Sequence, residues 1–240
     1  MIEKFSISLG LSRISESSKS SKSGAGVAGS TSSVDALSLK EKRQGVLVRD
    51  GNVCACCGFH SEKYQEILHR NGNVDDWSDG NVHTVCIFCH QCFNLDGVNV
   101  MRSGVLLWLP EIKQADLHHI ARAIYVARIS QGPIADAARR SLDALMQRRE
   151  TVKSRIGTDD PYILSMVMKD YLTDSQYSKC HEKLDGVRLF PLDRRIIKES
   201  DLEFNQFPQI LAFWRSKAGP FGGKPPQKWF DVYHQVQAAA

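Results

Sequence analysis

Six of the seven cysteines in the chain fall in two short clusters whose spacing is typical of a metal site. Cys54 and Cys57 form one Cys-x-x-Cys pair, and Cys86 and Cys89 form a second. Each pair can direct two sulfurs to one point, and four thiolates around one point make the tetrahedral shell that zinc prefers. The two pairs therefore predict one zinc ion held by these four residues. Such a closed shell has no open position for water, so this zinc would stabilise the fold rather than carry out chemistry.

The remaining cysteines leave the choice of ligands open. Cys56 lies between the members of the first pair, and Cys92 follows the second pair by three residues. Either could replace one of the four predicted ligands, and His90 is a weaker substitute. Cys180 stands alone, and an odd number of cysteines argues against a disulfide framework.

The elements around these cysteines divide the chain into an α+β part and a helical part. The run GVLLWL, from Gly104 to Leu109, is apolar and bounded by Gly and Pro, which predicts a strand. Helical patterns dominate after Pro110. We predict a disordered Ser-rich tail over residues 1–38, a zinc domain over 39–110, a helical domain over 111–218 and a Gly/Pro-rich C-terminal segment over 219–240.

Apolar spacing predicts the buried faces of the helices. In the helix after Pro110 these residues are Leu117, Ile120, Ala121 and Ile124. In a helix that begins at Pro161 they are Ile163, Met166, Val167 and Tyr171. His118 and His119 point about 100° apart on a helix and cannot easily share a metal, so we interpret them as ordinary helix residues. The aromatic C-terminal part, with Trp214 and Trp229, forms either a local core or a docking surface.

Length, composition and charge exclude several classes of protein. The chain has 240 residues, 42% of them hydrophobic and 24% charged, which is ordinary for a globular protein. We see no apolar run long enough to predict a membrane span. The formal net charge of +4 is only weakly basic, which argues against nucleic acid as a partner. The chain also lacks the phosphate-binding motif of an ATPase.

The order of the motifs resembles an HNH, or treble-clef, endonuclease module. RDGNVCACCG, LHRNGN and DGNVHTVCIFCH follow one another in that order. By this resemblance His69 stands at the general base, Asn81 at the middle asparagine and His90 at a ligand of the catalytic metal. Leu68 occupies the position of the other ligand, and leucine cannot bind a cation. Asp75, Asp76 or His83 could substitute, but nothing in the sequence places them there. The resemblance therefore implies an HNH-like fold whose catalytic site lacks a metal ligand.

A longer stretch, from about Arg43 to Pro191, resembles the IcmJ (DotN) family of the type IVB (Dot/Icm) secretion system. The blocks VCACCGFHSEKYQEI, HTVCIFCHQCFNLDGV, GVLLWLPEIKQADL, DDPYILSMVMKD and GVRLFP carry this resemblance. It implies a cytoplasmic subunit of the coupling complex, peripheral to the inner membrane. Members of the family bind the C-terminal tail of the type IV coupling ATPase and support substrate recruitment together with other subunits.

Two functions from different classes follow. The first is a non-catalytic adaptor with an α+β fold, in which an HNH-like treble-clef zinc domain precedes a mainly helical domain. The second is a divalent-metal-dependent HNH endonuclease with a structural zinc, in which His69 is the base and His90 binds the catalytic metal. A nucleic-acid-binding zinc protein without catalytic activity is a third, weaker interpretation.

Overall fold

The computed structural model describes residues 5–11, 33–199 and 201–238, and these parts have a mixed α+β architecture. The helices are α1 (Ser33–Arg49), α2 (Ile87–Cys92), α3 (Leu95–Met101), α4 (Gln114–Arg128), α5 (Pro133–Ile156), α6 (Pro161–Asp170), α7 (Asp174–Ser178), α8 (Cys180–Lys183), α9 (Phe207–Arg215) and α10 (Trp229–Ala238). The strands are β1 (Gln65–His69), β2 (Val82–Cys86), β3 (Gly104–Trp108), β4 (Val187–Pro191), β5 (Ile196–Glu199) and β6 (Leu202–Asn205). Within the described ranges, no helix combines the length and the hydropathy that a membrane crossing needs.

The β1–β2 hairpin and α2 form the part of the fold that contains the second cysteine pair. The two strands pair antiparallel, and α2 begins directly after β2. Asp50, at the end of α1, attaches that helix to the hairpin by accepting a hydrogen bond from the Thr84 backbone N–H at 2.8 Å. Arg49 pairs with Asp50 at 2.8 Å and donates to the Val82 carbonyl at 2.6 Å. These bonds position the end of β2, where Cys86 lies.

Strands β3 and β4 are distant in the sequence but pair antiparallel, with Leu106 opposite Leu189. The predicted strand at residues 104–109 is confirmed by β3. The first residue of α4, Gln114, bonds to the backbone of Leu189 on β4. Its side-chain oxygen accepts from the Leu189 N–H at 2.9 Å, and its side-chain nitrogen donates to the Leu189 carbonyl at 2.7 Å. The sheet therefore determines where α4 begins and how it is oriented.

One hydrophobic core includes the cysteine region and helices from the second half of the chain. Besides cysteines, its most deeply buried members are Val85, Ile87, Phe88, Leu107, Leu109, Leu117, Ala121, Tyr125, Val126, Phe190, Phe207, Ile210 and Trp214. Phe88 contacts Phe207 and Trp214 with ring centroids 6.4 and 5.6 Å apart. The predicted boundary at residue 110 therefore runs through a shared core. The aromatic residues of α9 belong to this core, as the local-core interpretation predicts.

The N-terminal part differs from the predicted disordered tail wherever the structure describes it. Residues 5–11 pack, without helix or strand, against the body of the protein, and α1 begins at Ser33, before the predicted start of order at residue 39. Phe5, Ile7, Leu9 and Leu11 pack against the two main core clusters. This alternation of apolar residues explains the difference, because it gives the segment one apolar side. Residues 1–4 and 12–32, the rest of the predicted tail, lie outside the described residues.

Helix α6 buries the side opposite to the predicted one. Its deeply buried apolar side chains include Leu164 and Met168, which belong to a second core cluster with α3 and β4. The four residues predicted to face the core, Ile163, Met166, Val167 and Tyr171, are 48%, 41%, 42% and 77% exposed. The helix has apolar residues on both sides, so its spacing alone could not select the packed side. In α4 the predicted face is correct except for Ile120, which is 36% exposed.

The C-terminal part contains more regular structure than the pattern predicted. A hairpin of β5 and β6 precedes α9, and a 3-10 turn at Pro226–Lys228 leads into α10. Helix α10 thus lies within the segment predicted as Gly/Pro-rich from residue 219. Further upstream, the short helices α7 and α8 are separated at Lys179.

Candidate metal centre

The sulfur atoms of Cys54, Cys57, Cys86 and Cys89 lie within 4.8 Å of one another, and all four residues are buried. The sulfurs of Cys57 and Cys86 are 3.7 Å apart. A tetrahedral zinc with zinc–sulfur bonds of about 2.3 Å places its sulfurs about 3.8 Å apart. Among the described residues, these four form the one group of His, Cys, Asp and Glu side chains close enough to hold a metal ion. Their donor chemistry and spacing fit zinc.

Two different local structures bring the pairs together. The first pair lies in a tight turn in which the Gly58 N–H donates to the Cys54 carbonyl at 2.9 Å. Gly58 has φ +75°, a conformation that glycine adopts easily. In the second pair, Cys86 ends β2 and caps α2, because its sulfur accepts from the Cys89 N–H at 3.4 Å. The Ala55 N–H then joins the turn to β2 by donating to the Thr84 carbonyl at 2.9 Å.

The four thiols influence one another's ionisation. Contact with Cys54 raises the pKa of Cys57, but hydrogen bonds from Cys86 and Cys89 bring it down to about 5. Hydrogen bonds from neighbouring cysteines also lower the pKa of Cys54. Burial raises the pKa of Cys86 well above the ordinary value, and hydrogen bonds with Cys54 and the other cysteines raise that of Cys89, so the negative charge lies on Cys54 and Cys57. The cluster therefore carries negative charge at neutral pH, which is the state that binds a cation.

The substitute ligands considered from the sequence lie outside this four-sulfur group. The Cys92 thiol donates to the Phe88 carbonyl at 3.7 Å, and burial raises its pKa. Contact with Cys54 raises the pKa of Cys56. The pKa values of Cys86 and Cys89 are raised as well, so the position of the sulfurs distinguishes the four predicted ligands from Cys56 and Cys92.

Arg122 on α4 is completely buried beside the sulfurs. Its Nη2 lies 2.7 Å from the sulfur of Cys86 and 3.9 Å from that of Cys57. Burial by itself would lower its pKa, but the cysteine sulfurs raise it above the ordinary value. The guanidinium also lies over the Phe59 ring, 3.9 Å from its centroid. Because a buried cation is costly without an anion, Arg122 requires that the cysteine cluster be negatively charged.

His118 is a second buried contact between α4 and the cluster. Gln114 Nε2 lies 2.8 Å from His118 Nε2 and can only donate, so this histidine nitrogen must accept. Burial lowers the pKa of His118, so the ring is neutral and carries its proton on Nδ1. His118 Nδ1 lies 3.2 Å from the sulfur of Cys89 and donates to it. The neighbouring His119 donates through Nε2 to the Cys57 carbonyl at 2.9 Å.

These contacts from α4 are not among those predicted from the sequence. Helical geometry indicates ordinary helix residues at His118 and His119, and no pattern singles out Arg122 alone. The signal was present, because Gln114, His118 and Arg122 are four residues apart and share one stripe of an otherwise apolar helix face. A polar stripe of this kind needs buried partners, and here they are the sulfurs and the backbone of β4.

The structure does not bring the predicted nuclease residues together as a metal site. The Asn81 side chain holds the loop before β2, since its oxygen accepts from the Asn71 N–H at 2.9 Å and its nitrogen donates to the Asp76 carbonyl at 2.8 Å. His69 packs edge-on against Trp77 with ring centroids 5.0 Å apart. Burial lowers its pKa, and its Nε2 has no hydrogen-bond partner among the described residues.

His90 also lacks the surroundings of a catalytic metal ligand. Burial lowers its pKa, and the nearby carboxylate of Glu66 is already paired with two arginines. Arg43 and Arg195 lie 3.2 and 2.6 Å from the Glu66 oxygens. Within the described parts of the chain, His69, His90 and the neighbouring acids form no group that could hold a cation.

Comparison with known proteins shows that the chain is similar to a bacterial secretion protein. The type 4 apparatus protein DotN of Legionella pneumophila, strain Philadelphia 1, is 30% identical to this chain over 165 residues. The alignment covers 67% of the chain and 76% of that protein. No protein-family model matches the chain.

Proposed function

The chain belongs to the DotN family of type IV secretion proteins, and from this membership we propose that it is a non-catalytic, zinc-containing adaptor of a secretion coupling complex. It would bind the C-terminal tail of a type IV coupling ATPase and support substrate recruitment with other subunits. Such a complex would hold the protein at the cytoplasmic face of the inner membrane. The observation that carries this proposal is the similarity to DotN, which includes most of that protein's length.

The metal centre supports a structural role. Zinc on Cys54, Cys57, Cys86 and Cys89 would have a complete shell of four thiolates, so no position remains for a water molecule or a substrate. When bound, zinc would only cross-link the turn that contains Cys54 and Cys57 to the junction of β2 and α2, where Cys86 and Cys89 lie. We propose an HNH-like treble-clef fold for this region, supported by the order of turn, hairpin and helix.

The alternative nuclease has less support. An HNH enzyme needs a cation beside its general base, yet no second group of ligands is assembled in the described residues. Asn81 is also engaged in holding its own loop. Cleavage of plasmid DNA with Mg²⁺ or Mn²⁺ by the purified zinc-loaded protein, abolished by His69→Ala, would refute the non-catalytic adaptor.

Direct binding tests the adaptor. The tagged chain, loaded with zinc, would be mixed with the purified C-terminal tail of the coupling ATPase from the same organism and analysed by calorimetry. We expect a stoichiometric complex. A matched tail with its sequence scrambled serves as the control and should not bind. If the native tail also fails to bind a chain that contains zinc and is folded, the ATPase-adaptor function is wrong.

A further inference from the structure

The N-terminal segment Phe5–Leu11, here called the strap, lies across the protein like a bound peptide. Its sequence, FSISLGL, alternates apolar residues with Ser and Gly. Phe5, Ile7, Leu9 and Leu11 pack against core residues, whereas Ser6 and Ser8 are exposed. This is the pattern by which extended peptides are recognised, in which alternate side chains enter pockets on the receptor.

The pocket for Phe5 is well defined. The ring meets His83 edge-on at 5.4 Å and lies 6.3 Å from the ring of Phe93. The guanidinium of Arg70 lies over the Phe5 ring, 5.2 Å from its centroid. An aromatic residue therefore fits this position by its shape and by a cation–π contact.

Few backbone bonds hold the strap. The Phe5 N–H donates to the Ala55 carbonyl at 3.3 Å. The Gly10 N–H donates to the Cys92 carbonyl at 2.8 Å, and the Gly10 carbonyl accepts from the Leu95 N–H at 3.2 Å. The Leu11 N–H donates to the Tyr177 hydroxyl at 2.9 Å. Between these ends, no backbone hydrogen bond joins residues 6–9 to another described residue. The middle of the strap is therefore held mainly by its apolar side chains.

The groove is larger than the strap that occupies it. A cavity of about 870 Å³ borders the strap on one side and β1, the loop after α2 and the α7–α8 region on the other. Its walls include Leu68, Phe93 and Leu184. The chain between the strap and α1, residues 12–32, is rich in Ser and Gly and can span up to about 70 Å when extended. The strap can therefore leave the groove while it remains attached.

We propose that the strap is a tethered ligand of a peptide-binding groove, and that it is displaced by an extended partner segment of the same pattern. The partner carries an aromatic residue that enters the Phe5 pocket and apolar residues at the second, fourth and sixth positions after it. Because the strap is attached to the chain, its effective concentration near the groove is high, on the order of millimolar. The groove is thus closed to weak ligands and open to a partner that competes successfully.

A labelled peptide tests this proposal directly. The probe is a synthetic fluorescein-labelled peptide with the sequence of residues 3–12, and its binding is followed by fluorescence anisotropy. The receptors are the full zinc-loaded chain, the chain without residues 2–11, and the full-length variant Ile7→Asp, whose strap should leave the groove. We expect the peptide to bind the last two at least about tenfold more tightly than the full chain, because they lack the tethered competitor.

Matched controls separate displacement from general loosening. The variant Ser8→Asp, used as a fourth receptor, changes the exposed residue next to Ile7. Its strap should stay in the groove, so this variant should bind the peptide as weakly as the unmodified full chain does. A peptide carrying Phe5→Ser and Ile7→Ser should not bind any receptor. Bound zinc and circular dichroism establish that each receptor is folded.

Four results would overturn the proposal. One is failure of the peptide to bind folded strap-less chain, and another is equal binding to all four receptors. The third is loss of the fold in both the strap-less chain and Ile7→Asp, since the strap would then be a permanent part of the core. A dimer that dissociates in Ile7→Asp would show that the occupant is the strap of a second copy, which also contradicts a partner peptide.

Discussion

At the scale of single residues, the buried charge of Arg122 explains why the cysteine cluster must be anionic. The guanidinium is completely buried, and its close polar contacts are the sulfurs of Cys86 and Cys57. Four thiolates around Zn²⁺ have two net negative charges, which Arg122 partly neutralises. Neutral thiols would leave this cation without a counter-charge in a low-dielectric core. Metal and arginine therefore stabilise the same negative cluster.

Replacing Arg122 should weaken metal binding. We expect Arg122→Met to lower zinc affinity by about 10- to 100-fold, the usual effect of losing an outer contact to a metal ligand. Competition with a chromogenic zinc chelator measures the change. Arg140→Met, at an exposed position on α5, is the matched control and should keep normal affinity. Unchanged affinity in Arg122→Met would contradict the electrostatic role.

Loss of a predicted ligand should have a larger effect. Cys57→Ser removes one of four thiolates, and because metal binding contributes folding free energy, the protein should lose its zinc and become sensitive to protease. Cys180→Ser changes a cysteine outside the cluster and should retain the metal. Zinc content by atomic emission and limited proteolysis provide the two measurements. A Cys57→Ser protein that keeps full zinc would point to a different ligand set.

At the scale of elements, α4 links the β3–β4 sheet to the metal centre. Leu189 of β4 orients Gln114, Gln114 determines which nitrogen of His118 accepts, and His118 then donates to Cys89. Each step is a hydrogen bond between buried groups, so each partner restricts the next. The helix acts as a rigid spacer that presents three polar side chains to β4, α2 and β2.

Helix α6 gives a direct test of which face is packed. Leu164→Ala empties a buried site and should cost about 2–4 kcal/mol in the free energy of unfolding. Met166→Ala, two positions away on the exposed side, should change it by less than about 0.5 kcal/mol. Urea denaturation of the two variants measures both values. Equal destabilisation would mean that both sides of α6 are packed.

At the scale of the whole molecule, the shared core should make unfolding a single event. Residues from the cysteine turns, α4 and α9 pack in one cluster, which crosses the predicted domain boundary at residue 110. The β3–β4 pairing also joins residues 104–108 to residues 187–191. Neither part can therefore lose its packing without exposing apolar surface of the other.

We expect zinc release and tryptophan fluorescence to change at the same urea concentration, since Trp214 is buried in the core that also contains the cysteines. Removing the metal with a chelator should lower the urea concentration at which the whole protein unfolds, because a ligand that binds only the folded state stabilises the entire folded protein. Two separated midpoints would instead indicate independent zinc and helical domains.

The cysteine pairs and the β3 strand could be identified from the sequence because their signals are local. Two Cys-x-x-Cys motifs place sulfurs together through a few backbone bonds each, and GVLLWL is apolar along its whole length. The alternation of apolar residues in FSISLGL is equally local, but it is followed by a Ser-rich stretch, and the composition of residues 1–38 as a whole predicts disorder.

Other features depend on partners far away in the chain. The sequence by itself determined the chemistry of the cluster, since thiolates bind zinc wherever the fold brings them together. Only the tertiary structure decided that α6 packs through Leu164 and that Arg122 reaches the sulfurs. Helical spacing is satisfied by either side of an apolar helix, and a buried polar residue has a definite role only when its distant partner is in place. Long-range packing supplies both pieces of information, because it selects among locally equivalent faces by the apolar area and the charges that each would bury.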